Sequence, residues 1–149
     1  MNTSLVCVDA SLVVDLIIGL DDPNLVTLWE AWIKEKTQLV APLLIRYEVV
    51  NVLYQISKKN QLSRETIGEA IQALNRLPMQ LYSDPELHGK AFTLAKDLSL
   101  GTTYDAHYLA LASSLDCEFW TRDAKLARAV QVKYRWIRLL EHTGEIGGC

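Results

Sequence analysis

Four carboxylates hold most of the chemistry this chain could perform. Asp9 follows a run of four apolar residues, Leu5 to Val8. Glu48 interrupts the stretch Leu-Ile-Arg-Tyr-Glu-Val-Val-Asn-Val-Leu-Tyr. Asp105 comes directly after Thr102-Thr103-Tyr104, at the head of an Ala/Leu-rich segment, and Asp123 ends Phe-Trp-Thr-Arg-Asp. Carboxylates brought to one place repel one another and hold raised pKa values until a cation joins them. Hard oxygen donors with space left for water suit Mg²⁺ or Mn²⁺. Taken singly, each acid has a plainer explanation. Asp9 could merely cap the helix that follows it. Asp105 and Asp123 could be acids favoured in a first helical turn, worth ~0.3–1 kcal/mol each, and Glu48 could pair with a basic side chain. Glu48 fits that account least well, because an acid amid a mostly apolar helix is expected to be partly buried and to need compensation. Asn51 lies three residues further along the same helix face, where its amide could orient a carboxylate.

The elements that would position these acids can be read in order. Leu5 to Val8 suits a strand covered on both faces, as in a parallel sheet. An Asp at the end of such a strand sits where open α/β sheets bind ligands. Ser11 is placed to cap a first helix, Leu12 to Leu20, closed by Asp21-Asp22-Pro23. Asn24 can cap a second, with an apolar stripe at Leu25, Leu28, Trp29 and Trp32. Gln38 to Ala41 reads as a strand ended by Pro42, and Leu43 to Lys59 as a long helix carrying Glu48. Ser63 caps a helix that ends near Leu77-Pro78. Met79 to Tyr82 is a third strand, and Ser83-Asp84-Pro85 starts a helix that Gly101 should stop. Thr102 or Thr103 caps a helix over Tyr104 to Leu115. Glu118 to Thr121 is a fourth strand, Ala124 to Val130 a short helix, and Arg135 to Leu139 a last edge strand. Strands alternating with helices imply right-handed crossovers and a parallel sheet. The expectation is one α/β domain over residues 1–143, with a central parallel sheet of four to five strands flanked by helices. Residues 144–149 are expected to form a disordered tail.

At 149 residues the chain can bury about two-thirds of its unfolded surface. No apolar run approaches the ~20 residues of a membrane span, and Met1-Asn2-Thr3-Ser4 lacks the basic start of a signal peptide. Cys7, Cys117 and Cys149 are far apart with no CxxC pair, which points to a reducing cytoplasm without disulfides or a zinc site. Cys7, inside the first strand, reads as a small buried thiol. The net charge of −3 argues against a simple phosphate-binding surface protein. Its distribution is uneven: residues 1 to 33 hold five acids and no Lys or Arg, whereas six basic residues and one acid lie between Arg122 and Arg138. Lys125, Arg128, Lys133 and Arg135 could contact phosphates, or they could form a solvated helix face.

Four short stretches together resemble a known family. Val-Asp-Ala-Ser (8 to 11), Glu-Val-Val-Asn (48 to 51), Tyr-Asp-Ala-His-Tyr-Leu-Ala-Leu-Ala (104 to 112) and Thr-Arg-Asp-Ala-Lys-Leu (121 to 126) look like a PIN-domain nuclease, most closely the VapC-type toxins of toxin–antitoxin pairs. Each motif alone is unspecific, but the likeness runs from residue 5 to about 140 in matching order and spacing. The resemblance puts the family's acidic quartet on Asp9, Glu48, Asp105 and Asp123, with Asn51 and Thr121 as supporting polar groups; Ser11 belongs to the same first motif. It implies a PIN-like fold and endonucleolytic hydrolysis of RNA that leaves a 5′-phosphate and a 3′-hydroxyl. It further implies a cognate antitoxin protein as partner and association as a homodimer. The metal, Mg²⁺ or Mn²⁺, would activate water and stabilise charge on a phosphodiester oxygen, with Asp9 and Asp105 as direct ligands. His107 stands where relatives often have an apolar residue and reads as a structural histidine.

Two rival readings come from other classes. One is a catalytically silent PIN-like interaction domain, which the intact quartet argues against. The other is a receiver-like phosphoacceptor, which would need an Asp in a middle strand where Met79 to Tyr82 has none. The two tryptophans of the Leu25–Trp32 stripe suit either a groove for an antitoxin segment or core packing. Asp15 reads as a solvated acid or one placed behind the quartet.

Overall fold

The strand that ends in Asp9 lies at the centre of a five-stranded parallel sheet of order β3-β2-β1-β4-β5. The computed structural model describes residues 3–143, so the tail expected at 144–149 lies outside the described residues. The elements are β1 (Leu5–Val8), α1 (Ala10–Ile17), α2 (Pro23–Glu35), β2 (Gln38–Pro42), α3 (Leu44–Lys58) and α4 (Arg64–Arg76). There follow β3 (Met79–Tyr82), α5 (Glu86–Asp97), α6 (Tyr104–Leu115), β4 (Glu118–Thr121), α7 (Ala124–Gln131) and β5 (Ile137–Leu139). All four strand pairings are parallel. Val6, Cys7 and Val8 are buried to 3% exposure or less, which is why β1 reads as an unbroken apolar run rather than an alternating one.

The strand order turns about β1. The chain moves outward from β1 through β2 to β3, then crosses back to β4 on the other side and on to β5. Right-handed crossovers put α1 to α4 on one face and α5 to α7 on the other. In agreement, α1, α3 and α4 pack on one another, and α6 lies across β1, β2 and β4. A reversal of this kind opens a crevice at the carboxyl ends of the two strands that flank it. Here those strands are β1 and β4, and the register pairs Val8 with Trp120. Asp9 therefore comes out beside Thr121.

Several helix ends and caps differ from the sequence expectation; α1, for one, stops at Ile17 rather than Leu20. The first helix begins at Ala10, capped by Asp9 rather than Ser11, because the Asp9 carboxylate accepts from the Leu12 amide at 3.2 Å. The fifth ends at Asp97 instead of continuing to Gly101. Ser99 takes the left-handed turn (φ 53°) and the Leu100 amide bonds back to the Ala95 carbonyl. Neither threonine caps α6 through its side chain; Thr103 stands at the cap position without a side-chain bond.

The tryptophan stripe of α2 resolves toward packing. Leu25 and Trp32 are buried, and Trp32 meets Trp120 edge-on with ring centres 5.8 Å apart. Trp29 packs half-buried against the core. Cys7 and Cys117 are buried free thiols, as expected of Cys7; Cys149 lies outside the described residues.

Candidate active site

Asp9 is the most constrained of the four acids. Its Oδ1 accepts from the Ser11 hydroxyl at 2.7 Å and from the Leu12 amide, and its Oδ2 accepts from the Thr121 hydroxyl. Those hydroxyls are held in turn: Ser11 Oγ accepts from the Arg122 amide at 3.0 Å, and Thr121 Oγ1 from the Asp123 amide at 2.9 Å. One polar web thus ties the end of β1 to the end of β4. Asp9 is 6% exposed, and burial pushes its carboxyl up to about 6 despite these bonds.

The other three acids arrive on helices. Asp105 sits half-buried in the first turn of α6, and its pKa is raised by burial and then by the charges of Glu48 and Asp123. Asp105 in turn pushes the Asp9 carboxyl up. Asp105 is therefore the acid through which all four couple. Glu48 is half-buried on α3, and the Tyr108 hydroxyl donates to its Oε1 at 2.7 Å. That bond, not a basic partner, supplies the compensation an acid in an apolar helix needs. Asp123 caps α7 by accepting from the Leu126 amide at 3.1 Å and is otherwise exposed. Asp9 and Asp123 are thus helix caps as well as members of the cluster, so the capping explanation applies to both.

Among the described residues no three Asp, Glu, His or Cys side chains close on a single point that could hold an ion. The acids share one region of the molecule without converging on one point. This spacing is compatible with a small hard cation that keeps several waters and takes only one or two carboxylates. Of the expected supporting groups, Ser11 and Thr121 bond to Asp9, whereas Asn51 is exposed on α3.

Two further residues hold this region in place, and neither was singled out by sequence. Tyr108 is three residues beyond Asp105 on α6, and its buried ring with a hydroxyl needing a partner was the available signal. Arg122 is buried between Thr121 and Asp123. Its Nε lies 3.1 Å from Asp15, and its Nη2 bonds to Asp22. Nε and Nη1 make no aligned hydrogen bond among the described residues. Asp22, which also accepts from the Thr143 hydroxyl and from Arg122, is held well below the usual carboxylate range. Arg122 is therefore an internal clamp and leaves the basic surface. Asp15 is its half-buried partner. Lys125, Arg128, Lys133 and Arg135 are exposed.

His107 is held by local bonds. Its Nδ1 donates to the Thr103 carbonyl at 2.7 Å, and its Nε2 lies 3.0 Å from His88 Nδ1. A carbonyl can only accept, so a neutral His107 donates from Nδ1 and accepts at Nε2 from His88 Nδ1.

The family model for the PIN domain matches residues 6–131. The chain belongs to the PIN domain family. Two curated relatives, VapC ribonuclease Mb0985 of Mycobacterium bovis and Ribonuclease VapC9 of Mycobacterium tuberculosis, are each 28% identical over 96 residues, covering 64% of this chain and 73% of theirs. Among solved structures, PAE2754 from Pyrobaculum aerophilum superposes with a TM-score of 0.59 at 28% identity over 83% of each chain. A toxin–antitoxin complex from Klebsiella pneumoniae superposes with a TM-score of 0.61 at 18% identity, covering 89% of this chain and 94% of that one. The last likeness is one of fold.

Proposed function

We propose that the chain is a divalent-metal-dependent endoribonuclease and the toxin of a toxin–antitoxin pair. The observation that carries this reading is the coupling of Asp105 to Asp9, Glu48 and Asp123, at the crevice where the strand order reverses. The ribonuclease relatives support RNA as the substrate, and the fold shared with a toxin–antitoxin complex is consistent with an antitoxin partner. A homodimer is part of the same proposal.

In this reading Asp9 and Asp105 hold Mg²⁺ or Mn²⁺, with Glu48 and Asp123 ligating or orienting water. The cation, when bound, lowers the pKa of water and neutralises charge on a phosphodiester oxygen. The remaining steps belong to the chain. Ser11 and Thr121 fix both oxygens of Asp9, so the carboxylate is aimed before substrate arrives. Tyr108 occupies Glu48 Oε1 and leaves Oε2 to accept a proton from the attacking water. Lys125 and Arg128 lie on α7, directly after Asp123, where phosphates of the strand could be held without reading sequence.

The test is cleavage of total RNA by the purified protein with Mn²⁺ and with chelator, beside Asp9→Asn and Asp105→Asn. Cleavage products should carry 5′-phosphates and should vanish with chelator and in both variants. Undiminished cleavage by both variants would refute the assignment. Expression without a partner should slow growth, and the same substitutions should relieve it at equal protein levels.

A further inference from the structure

We propose that the cavity beside the acids is a nucleobase subsite, in which Tyr47 and Tyr104 stack a base of the RNA strand next to the scissile phosphate. The proposal rests on the ribonuclease reading above and names how that site holds its substrate.

The cavity has a volume of about 390 Å³, and its walls include Leu43, Tyr47, Tyr82, Leu87, Tyr104 and His107. Tyr47 is 70% exposed and Tyr104 56%, so neither ring is in place to fill the core. Each directly precedes an acid of the cluster, Tyr47 before Glu48 and Tyr104 before Asp105. The cavity and the acid cluster therefore meet near the starts of α3 and α6. A phosphate held at Glu48 and Asp105 would lie one residue along the helix from each ring.

The chemistry of the lining selects a base over the sugar–phosphate backbone. Among the described residues no Lys or Arg borders the cavity, and one acid, Asp84, does. Phosphate would find no cation there, whereas a base presents a flat π-face that stacks on tyrosine whatever its identity. The polar edge is already oriented. With both rings neutral, His107 donates to the Thr103 carbonyl and accepts from His88 Nδ1, and the lone pair of His88 Nε2 can then accept from a donor such as an exocyclic amine. A peptide or a second copy of the chain could also cover apolar rings. Only a substrate strand has to reach the two acids that directly follow these rings in the sequence.

The test begins by mapping the cut made by the native protein in total RNA. A fluorescein-labelled oligonucleotide spanning that cut is then titrated with the Asp9→Asn protein, alone and combined with Tyr47→Ala, Tyr104→Ala or Tyr104→Phe. Matching oligonucleotides carry an abasic residue at each nucleotide flanking the cut. Tyr104→Ala should weaken binding by about 5- to 150-fold, the range of one lost stacking contact, and Tyr104→Phe should retain it. One abasic position should give a similar loss, with little further loss when combined with Tyr104→Ala. Tight binding by Tyr104→Ala, or losses that add in full at every abasic position, would overturn the subsite while cleavage by the native protein keeps the ribonuclease reading. RNA left uncut by the native protein would remove both. Tyrosine variants that bind RNA normally but shed an antitoxin or a second copy would make this face a protein contact and overturn the base assignment.

Discussion

Asp9→Asn should stabilise the metal-free protein at about pH 8 by ~2 kcal/mol, even though it abolishes the proposed activity. The carboxyl rises from 3.8 to about 6 on folding, chiefly through burial. At 1.36 kcal/mol per pH unit, keeping it ionised in the fold costs ~3 kcal/mol. Asp9 is 6% exposed, so water screens little of this. The amide keeps an oxygen for Ser11 and Leu12. Toward Thr121 it presents an N–H, and that hydroxyl must turn from donor to acceptor; the weakened contact takes back ~1 kcal/mol. For a chain of this length a net gain of ~2 kcal/mol raises the melting temperature by roughly 4–8 °C. The sign with pH follows from the direction of the shift. The folded state binds the proton more tightly than the unfolded one, so Asp9 favours the fold fully below 3.8. That benefit is lost as pH rises through about 6. The variant has no such dependence, and its advantage should appear between these values and be absent near pH 4. Melts of both proteins in chelator, followed by circular dichroism at about pH 4, 6 and 8, decide the matter. Equal melting temperatures at pH 8, or a gap that persists at pH 4, would refute the argument.

Millimolar Mn²⁺ should raise the melting temperature of the native protein, by about 2.7 kcal/mol in stability at a hundredfold excess over its dissociation constant, and that of Asp9→Asn much less; equal rises would mean that Asp9 does not share in the metal site. Thr121→Ala removes the hydroxyl joining Asp9 to the Asp123 amide and should lower cleavage about 10- to 100-fold with the fold intact, as read by initial rates against the melting curve. Arg122→Ala leaves Asp15 and the buried Asp22 without their clamp and should cost ~3–5 kcal/mol; a urea midpoint close to that of the native protein would show that the pair is not held at a net gain. Trp32→Ala should cost ~3–5 kcal/mol as a core truncation, and an unchanged urea midpoint would return the α2 stripe to the surface.

Much of this architecture is legible in one dimension, because the signals involved are local. The apolar run Leu5 to Val8 marks a strand buried on both faces, and the segments around it alternate with the helical period, so the parallel sheet follows from short-range pattern alone. The four acids stand out for the same reason: each breaks an apolar context or sits at an element end. Helix ends were less legible. Asp9 and Ser11 both offer a capping oxygen, and only the geometry at the end of β1 decides that Asp9 receives the Leu12 amide. The long-range decisions were not local at all. That Tyr108 serves Glu48 across 60 positions, that Thr121 serves Asp9 across 112, and that Arg122 answers Asp22 across 100 depends on which strands become neighbours. The placement of β4 beside β1 brings Thr121 and Arg122 to their partners, and α6 lying across β1 and β2 brings Tyr108 to Glu48. Hydrogen bonds and ion pairs act over a few ångströms, so composition and spacing can nominate a carboxylate, but only the packed sheet can say which hydroxyl or guanidinium reaches it.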